Sequence, residues 1–198
     1  GGVPAPVTAD IRLEIWAKLW GNMNMNPVSA LTRLTARPIL GEPDGKTSAG
    51  TAQLARLLVA GGVPAPVTAD IRLEIWAKLW GNMNMNPVSA LTRLTAHPIL
   101  ADLRLAELVR GMMTEFTDLG ARIGLKLPMT VDERLVVTRR LGDFRTSMLN
   151  DLEAGRPLEV EGLLGVVVEM ADRIGQPVPM SRAVYALARA IDAGAQRT

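Results

Sequence analysis

Residues 1–40 recur at 61–100 with a single difference, Arg37 against His97, so 39 of 40 paired positions agree at a fixed offset of 60. This doubling constrains the fold more than any other feature of the chain. Both copies carry the same apolar pattern, yet only the second runs on into unique sequence, 101–198. A solenoid needs three or more units to bury a continuous core, and two copies do not make one. Near-identity points to a recent or artificial duplication, because copies that meet different neighbours diverge. The second copy is therefore expected in the native position. The first must find another groove, such as the equivalent groove of a second chain, an exchange that a two-fold axis permits at low cost. Setting one copy aside leaves 158 independent positions, the size of one domain.

Composition removes several function classes. With 22 basic and 20 acidic side chains the net charge is +2, too near balance to favour a polyanion, and seven aromatics offer few rings for bases to stack on. No nucleic-acid partner is expected. Cysteine is absent, which removes disulfides and thiolate chemistry and suits a reducing, cytoplasmic setting. No apolar run approaches the ~20 residues that span a bilayer, so no membrane partner is expected either. There is no recognisable leader, and the chain opens on Gly1, which reads as a piece of something longer. His97 is the sole histidine. A lone imidazole makes neither a metal cluster nor a catalytic triad, so no metal is expected and His97 is assigned to a surface or helix end.

Apolar spacing predicts a mainly α chain with short loops. Leu105, Val109, Met112, Phe116, Leu119 and Ile123 form one helical stripe, with Gly124 placed to end it. Thr130 and Glu133 have capping-box spacing, predicting a helix that buries Leu135, Leu141 and Phe144. Residues 143–150 show no clear stripe. Leu163, Leu164, Val167, Ala171 and Ile174 predict another buried face closed by Gly175 and Pro177, followed by a last helix carrying Val184, Leu187 and Ile191. Within the second copy, Thr68 or Asp70 caps a helix through Trp76 and Trp80, and Asn86 before Pro87 reads as the cap of the next. The same assignments repeat at Thr8, Asp10, Asn26 and Pro27. Between the copies the character changes: Gly41–Ser48 is turn-rich, Thr51–Ala60 forms one helix, and Val63–Val67 is at best an edge strand. That order resembles the tail of an α/β unit.

Two polar clusters carry candidate chemistry. Gly41-Glu-Pro-Asp-Gly45-Lys46-Thr47 imitates a phosphate loop but has three residues between its glycines where the motif needs four, and Pro43 removes an amide; it is read as a solvated turn. No Gly-x-Gly-x-x-Gly occurs. In Trp76-Ala-Lys78-Leu-Trp80-Gly-Asn82-Met-Asn84-Met-Asn86-Pro87, Lys78, Asn82 and Asn86 are spaced by four. If one helix runs through them, a cation and two amides share a side, while Ile71, Ile75 and Leu79 anchor another. The rival reading is a wet helix face. The second cluster is Ser147-Met-Leu-Asn-Asp151 with Arg156-Pro-Leu-Glu159-Val-Glu161-Gly162. Ser147 as a helix cap, Asp151 and Glu153 as a solvated face, and Glu159 as a first-turn carboxylate would account for it without any ligand.

Taken together, these two clusters resemble the C-terminal domain of ketopantoate reductase, with four residues between Lys78, Asn82 and Asn86 and twelve from Ser147 to Glu159. The resemblance runs from about Gly41 to the end. It implies a helical domain of the ketopantoate reductase and 6-phosphogluconate dehydrogenase C-terminal type with a short α/β remnant. Residues 41–67 then correspond to the end of a Rossmann domain, and 68–198 to a helical substrate-binding and dimerisation domain. It implies NADPH-dependent reduction of 2-dehydropantoate to pantoate, in pantothenate biosynthesis, by a cytoplasmic oxidoreductase acting on a small 2-keto acid. Lys78 matches the catalytic lysine, which hydrogen-bonds and protonates the keto oxygen. Asn82 and Asn86 match substrate-binding asparagines, Ser147 the hydroxyl that binds the substrate carboxylate, and Glu159 the acid that fixes a substrate hydroxyl. The first copy repeats Lys18, Asn22 and Asn26 without a serine or glutamate partner of its own.

The chain departs from that family in one large respect. The glycine fingerprint and roughly the first hundred residues of a dinucleotide fold have no counterpart here. The expectation is a chain that keeps much of the substrate half and is catalytically silent alone. A homodimer is expected, with the duplicated helix exchanged. The rivals are a helical interaction module using Trp16, Trp20 and Met23 of the extra copy, and a relative that reduces another 2-keto acid.

Overall fold

A computed structural model describes residues 39–195. The expectations placed on Thr8, Asp10, Trp16, Lys18, Trp20, Asn22, Met23, Asn26 and Pro27 lie outside the described residues. Eight α-helices occur among those described: α1 Ala49–Ala60, α2 Ile71–Thr92, α3 Ala96–Ala101, α4 Leu103–Arg122, α5 Val131–Arg140, α6 Ser147–Glu153, α7 Val166–Ile174 and α8 Pro179–Ala195. A π-helical turn, Glu161–Gly165, leads into α7. The mainly α class expected from the apolar spacing is what the described residues adopt. No described helix is long and apolar enough to cross a membrane.

The chain divides into two compact units at a boundary within α2, between Trp76 and Ala77. In the first, the Ser48 hydroxyl caps α1 by accepting from the Thr51 amide at 3.0 Å, so the helix opens two residues before the predicted Thr51. The expected edge strand is reduced to one parallel bridge between Leu40 and Val67, in which Leu40 N donates to Pro66 O at 2.9 Å and Thr68 N to Leu40 O at 2.7 Å. Pro64 and Pro66 supply no amides to extend that ladder. Two parallel segments joined through a helix form the crossover pattern of an α/β unit. Asp70, not Thr68, caps α2, accepting from the Leu73 amide at 3.0 Å.

In the second unit α4 is the central helix, packed against α3, α5, α7 and α8. Its stripe behaves as predicted: Val109, Met112, Phe116 and Leu119 are buried. The helix closes in a Schellman arrangement, with Gly124 at φ +82° and Leu125 N donating to Gly120 O at 2.8 Å. Trp80 of α2 is buried and ties to this centre through a 3.1 Å hydrogen bond from its indole Nε1 to Met113 O. The capping box of α5 is complete in both directions: Thr130 Oγ1 accepts from Glu133 N at 3.2 Å, and Glu133 Oε2 accepts from Thr130 N at 2.7 Å.

Four expectations need correction. Pro87 does not open a new helix, and Asn86 caps nothing; α2 runs unbroken from Ile71 to Thr92 with Pro87 inside it. A mid-helix proline costs about 3 kcal/mol, but residues 83–90 are buried throughout, and their packing offsets that cost so that the helical assignment continues past the missing amide. Leu141 and Leu187, expected in the core, are 66% and 57% exposed. Leu141 is the C-cap residue of α5, and the inward face of α8 is Ser181, Val184 and Ala188, which turns Leu187 outward. The stretch 143–150, which shows no clear stripe, runs into α6 from Ser147, because Met148, Leu149 and Leu152 bury a short face that seven residues are too few to show as a period. Finally, Thr146 rather than Ser147 caps that helix, its hydroxyl accepting from Leu149 N at 3.2 Å.

Candidate functional site

The persistence of α2 through Pro87 places Lys78, Asn82 and Asn86 one turn apart on one side of a single helix, drifting by only ~40° per step. The other sides are occupied: Leu79, Trp80, Met83, Met85 and Val88 are buried. Burial of the apolar residues thus fixes which side the cation and amides present. Ser147, freed from capping duty by Thr146, stands at the first position of α6, where its hydroxyl meets Asn86 Nδ2 at 3.4 Å. That contact is long for a hydrogen bond, so both groups keep capacity for a further partner. Glu159 precedes the helical run that starts at Val160, and its own carbonyl accepts from Leu163 N at 3.1 Å.

Lys78 and Glu159 lie within each other's field. Burial pulls the Lys78 ammonium below the usual lysine range, and Glu159 partly restores it. Burial likewise raises the Glu159 carboxyl above its ordinary range, the negative charge of Asp151 adds to the rise, and Lys78 opposes it. Both side chains keep a solvent-facing surface, so the protein strips only part of their water. Asp151 is itself held by Arg156, whose Nε and a terminal nitrogen donate to one carboxylate oxygen at 2.9 and 2.7 Å. The outcome is a partly desolvated ammonium beside a partly desolvated carboxyl. An ammonium biased toward its neutral form is the better proton donor near neutral pH.

Below Asn82 and Asn86 lies a cavity of about 180 Å³, walled by Arg134, Leu135, Thr138 and Phe144 among others. Of the five residues singled out from sequence, the structure joins Asn86 to Ser147, and Asn82 and Asn86 line the cavity, while Lys78, Ser147 and Glu159 are not part of its lining. Sequence reasoning missed Arg134 and Thr138, which sit inside an ordinary charged helix. One signal was present in Gly81, a glycine within an otherwise regular helix that costs about 1 kcal/mol against alanine unless something approaches it. What approaches is the Arg134 guanidinium: a methyl at Gly81 would stand 2.6 Å from its terminal nitrogen. His97 lies at the start of α3, its backbone amide donating to Asp143 Oδ1 at 2.9 Å. Among the described residues no group of His, Asp and Glu is placed to hold a metal ion.

The described residues do not fit a dinucleotide. The helix N-terminus that follows the parallel bridge is that of α1, and the Glu42 carboxylate already occupies it, accepting from the Ser48 and Thr51 hydroxyls. These contacts hold its carboxyl below the usual range. A pyrophosphate there would meet a fixed negative charge where such a site offers amides.

Comparison with known proteins supplies a family. The family model described as ketopantoate reductase PanE/ApbA C terminal matches residues 10–59 and 70–192. A 2-dehydropantoate 2-reductase from Mesorhizobium japonicum is 45% identical over 150 residues, covering 76% of this chain and 46% of that protein. A crystal structure of 2-dehydropantoate 2-reductase from Methylococcus capsulatus superposes with a TM-score of 0.76 at 30% identity, over 81% of this chain and 56% of that one. A ketopantoate reductase from Staphylococcus aureus, described as dimeric, gives a TM-score of 0.68 at 25% identity, over 76% and 53%. The chain thus spans about half the length of the relatives it matches.

Proposed function

The chain belongs to the ketopantoate reductase family, and from that premise we propose that its second unit is the substrate-binding half of a 2-dehydropantoate 2-reductase. The observation that carries this reading is the unbroken course of α2 through Pro87, which sets Lys78, Asn82 and Asn86 on one side and brings Asn86 to 3.4 Å from the Ser147 hydroxyl, 61 positions away in sequence. Lys78 donates a hydrogen bond to the substrate's keto oxygen and delivers a proton to it as that oxygen becomes an alkoxide. A preoriented cation in a partly dry site favours the developing negative charge more than water does. Ser147 and the Asn86 amide bind the substrate carboxylate, Asn82 orients the acid between them, and Glu159 accepts from the substrate hydroxyl. NADPH is the hydride source that the family implies for the whole enzyme, and its seat is not among the residues described. Assembly as a homodimer is part of the same proposal, since a relative is described as dimeric.

Calorimetric titration of the 198-residue chain with 2-dehydropantoate tests the reading. Saturable binding is expected, with each of Lys78→Ala and Glu159→Ala weakening it by at least about tenfold, the loss typical of one charge-assisted contact. Wild-type affinity in both variants would overturn it.

A further inference from the structure

Among the residues assigned to the site, Glu159 alone does not stand on a helix. Lys78, Asn82 and Asn86 share α2 and Ser147 opens α6, whereas Glu159 ends the irregular stretch 156–159. A side chain on such a stretch is only as well placed as the contacts that hold its backbone. Two of those contacts come from α8. On one side of Glu159, Asp192 Oδ1 accepts from Leu158 N at 2.8 Å. On the other side, the Tyr185 hydroxyl donates to Glu161 Oε2 at 2.7 Å, and Arg189 Nε stands 3.1 Å from Glu161 Oε1. Tyr185, Arg189 and Asp192 are spaced by four and three along α8, so they form one stripe beside the Val184 and Ala188 that the helix buries.

The stretch between the two anchors is fixed by its own packing as well. Leu158 and Val160 are buried while Glu159 between them is not, so the apolar pair holds the chain down and leaves the carboxylate outward. Glu159 O accepts from Leu163 N at 3.1 Å, and Glu161 O accepts from Val166 N, which closes the π turn. Gly165 lets the Glu161 carboxylate fold back over that turn, where a methyl would collide with it. The anchors differ in weight. The Arg189 and Glu161 side chains are 62% and 68% exposed, and a surface ion pair contributes little. Asp192 instead satisfies the amide of a buried residue, and removing its oxygen leaves that donor unpaired.

We propose that Asp192 and Tyr185 are positioning residues for Glu159: α8 holds the chain on both sides of that carboxylate and so sets where it meets the substrate hydroxyl. The inference rests on the reading of Glu159 as the acceptor of that hydroxyl. The two residues act through the Leu158 amide and through Glu161, not on the substrate itself. Their loss is therefore felt by the hydroxyl contact and not by the keto and carboxylate groups, which residues of α2 and α6 hold.

The test titrates the 198-residue chain calorimetrically with 2-dehydropantoate and with trimethylpyruvate, the same keto acid without the hydroxyl. Wild type is expected to prefer 2-dehydropantoate at least about tenfold, as a hydrogen bond to a charged acceptor provides, and Glu159→Ala to show no preference. Asp192→Ala and Tyr185→Phe should each cut the preference to about threefold or less, because a displaced carboxylate forfeits most of that bond. Affinity for trimethylpyruvate should change by less than about twofold in both, since its contacts lie elsewhere. Asp192→Asn, whose amide oxygen can still accept from Leu158 N, should keep the wild-type preference. If Asp192→Ala fails to fold, Tyr185→Phe, which deletes a single oxygen, decides the matter. A preference lost in Glu159→Ala but retained in the α8 variants overturns the positioning role and leaves the reading of Glu159 standing. Equal weakening of both acids, or a fall in melting temperature with the preference intact, makes the α8 contacts structural only and overturns it likewise. No preference in wild type, or no binding of either acid, removes the reading of Glu159 and this inference together.

Discussion

Burial pushes Lys78 and Glu159 each toward its neutral form, and each opposes that push on the other. The consequence is measurable as a dependence of stability on pH. Glu159 has a raised pKa in the folded chain, so the native state holds that proton more tightly than the unfolded chain does. Its contribution is fully present below the ordinary glutamate value and is lost as pH rises through the window up to the raised value. Lys78, with a lowered pKa, carries a penalty at neutral pH that is relieved only as pH climbs through its folded value toward the ordinary lysine range. Glu159→Gln removes the first dependence. Its melting temperature relative to wild type is therefore expected to improve as pH rises from about 4 and to level off above the window. Parallel wild-type and variant curves from calorimetric scans across that range would show that Glu159 is not desolvated in the folded chain. A second residue is strained in its own way: Arg93, just past the end of α2, has φ +58°, a left-handed conformation that costs a non-glycine residue about 1 kcal/mol. Arg93→Gly should raise the melting temperature by a few degrees, and a fall would mean that the Arg93 side chain makes contacts worth more than the strain.

Single helices decide where these residues stand, and α5 is the clearest case. Thr130 and Glu133 satisfy one another's backbone amides at its N-terminus, and Arg134 is the next residue in the chain. Thr130→Ala is expected to cost about 1 kcal/mol of stability while Thr130→Ser costs little, because the serine hydroxyl can accept the same amide. Urea denaturation of the three proteins checks this, and equal midpoints would show that the box adds nothing. The box was legible because its signal is two residues at a fixed local spacing. The α4 stripe and the αL glycines at 124 and 175 were legible for the same reason. The course of α2 was not. Local rules assign Pro87 to a helix start, but the outcome depends on burial of residues 83–90, which is a tertiary fact. That misreading bore on the site, since the shared side of Lys78, Asn82 and Asn86 exists only if the helix continues. The π turn at Glu161–Gly165 left no mark in the periodicity either. Gly165 permits close packing there, as a methyl on it would stand 2.4 Å from Glu161 Oε2, and the Tyr185 hydroxyl donates to that same oxygen at 2.7 Å. Arg134 escaped notice because its significance lies in what it touches across the fold, not in its neighbours along the chain.

At the scale of the whole chain, the duplicated block and the family agree on one point. The family model is matched from Asp10 and again from Asp70, positions related by the offset of 60 that defines the repeat. Only the second match continues through Ser147 and Glu159, so only Lys78, and not Lys18, shares a match with these two residues. A reductase needs more than this half. Transfer of a hydride requires a donor seated against the keto carbon, and the helix N-terminus described after the parallel bridge carries Glu42 where a phosphate would need free amides. The 198-residue chain is therefore expected to bind its keto acid without reducing it. Mixed with 2-dehydropantoate and NADPH, it should leave the nicotinamide absorbance at 340 nm unchanged beyond the background rate, and titration of NADPH fluorescence should give no tight saturable curve. Tight NADPH binding accompanied by turnover would place a nucleotide site within these residues, and the division of labour argued for the second unit would fall with it. Saturable keto-acid binding with no response to NADPH is the combination that a substrate half, acting without its nucleotide domain, must give.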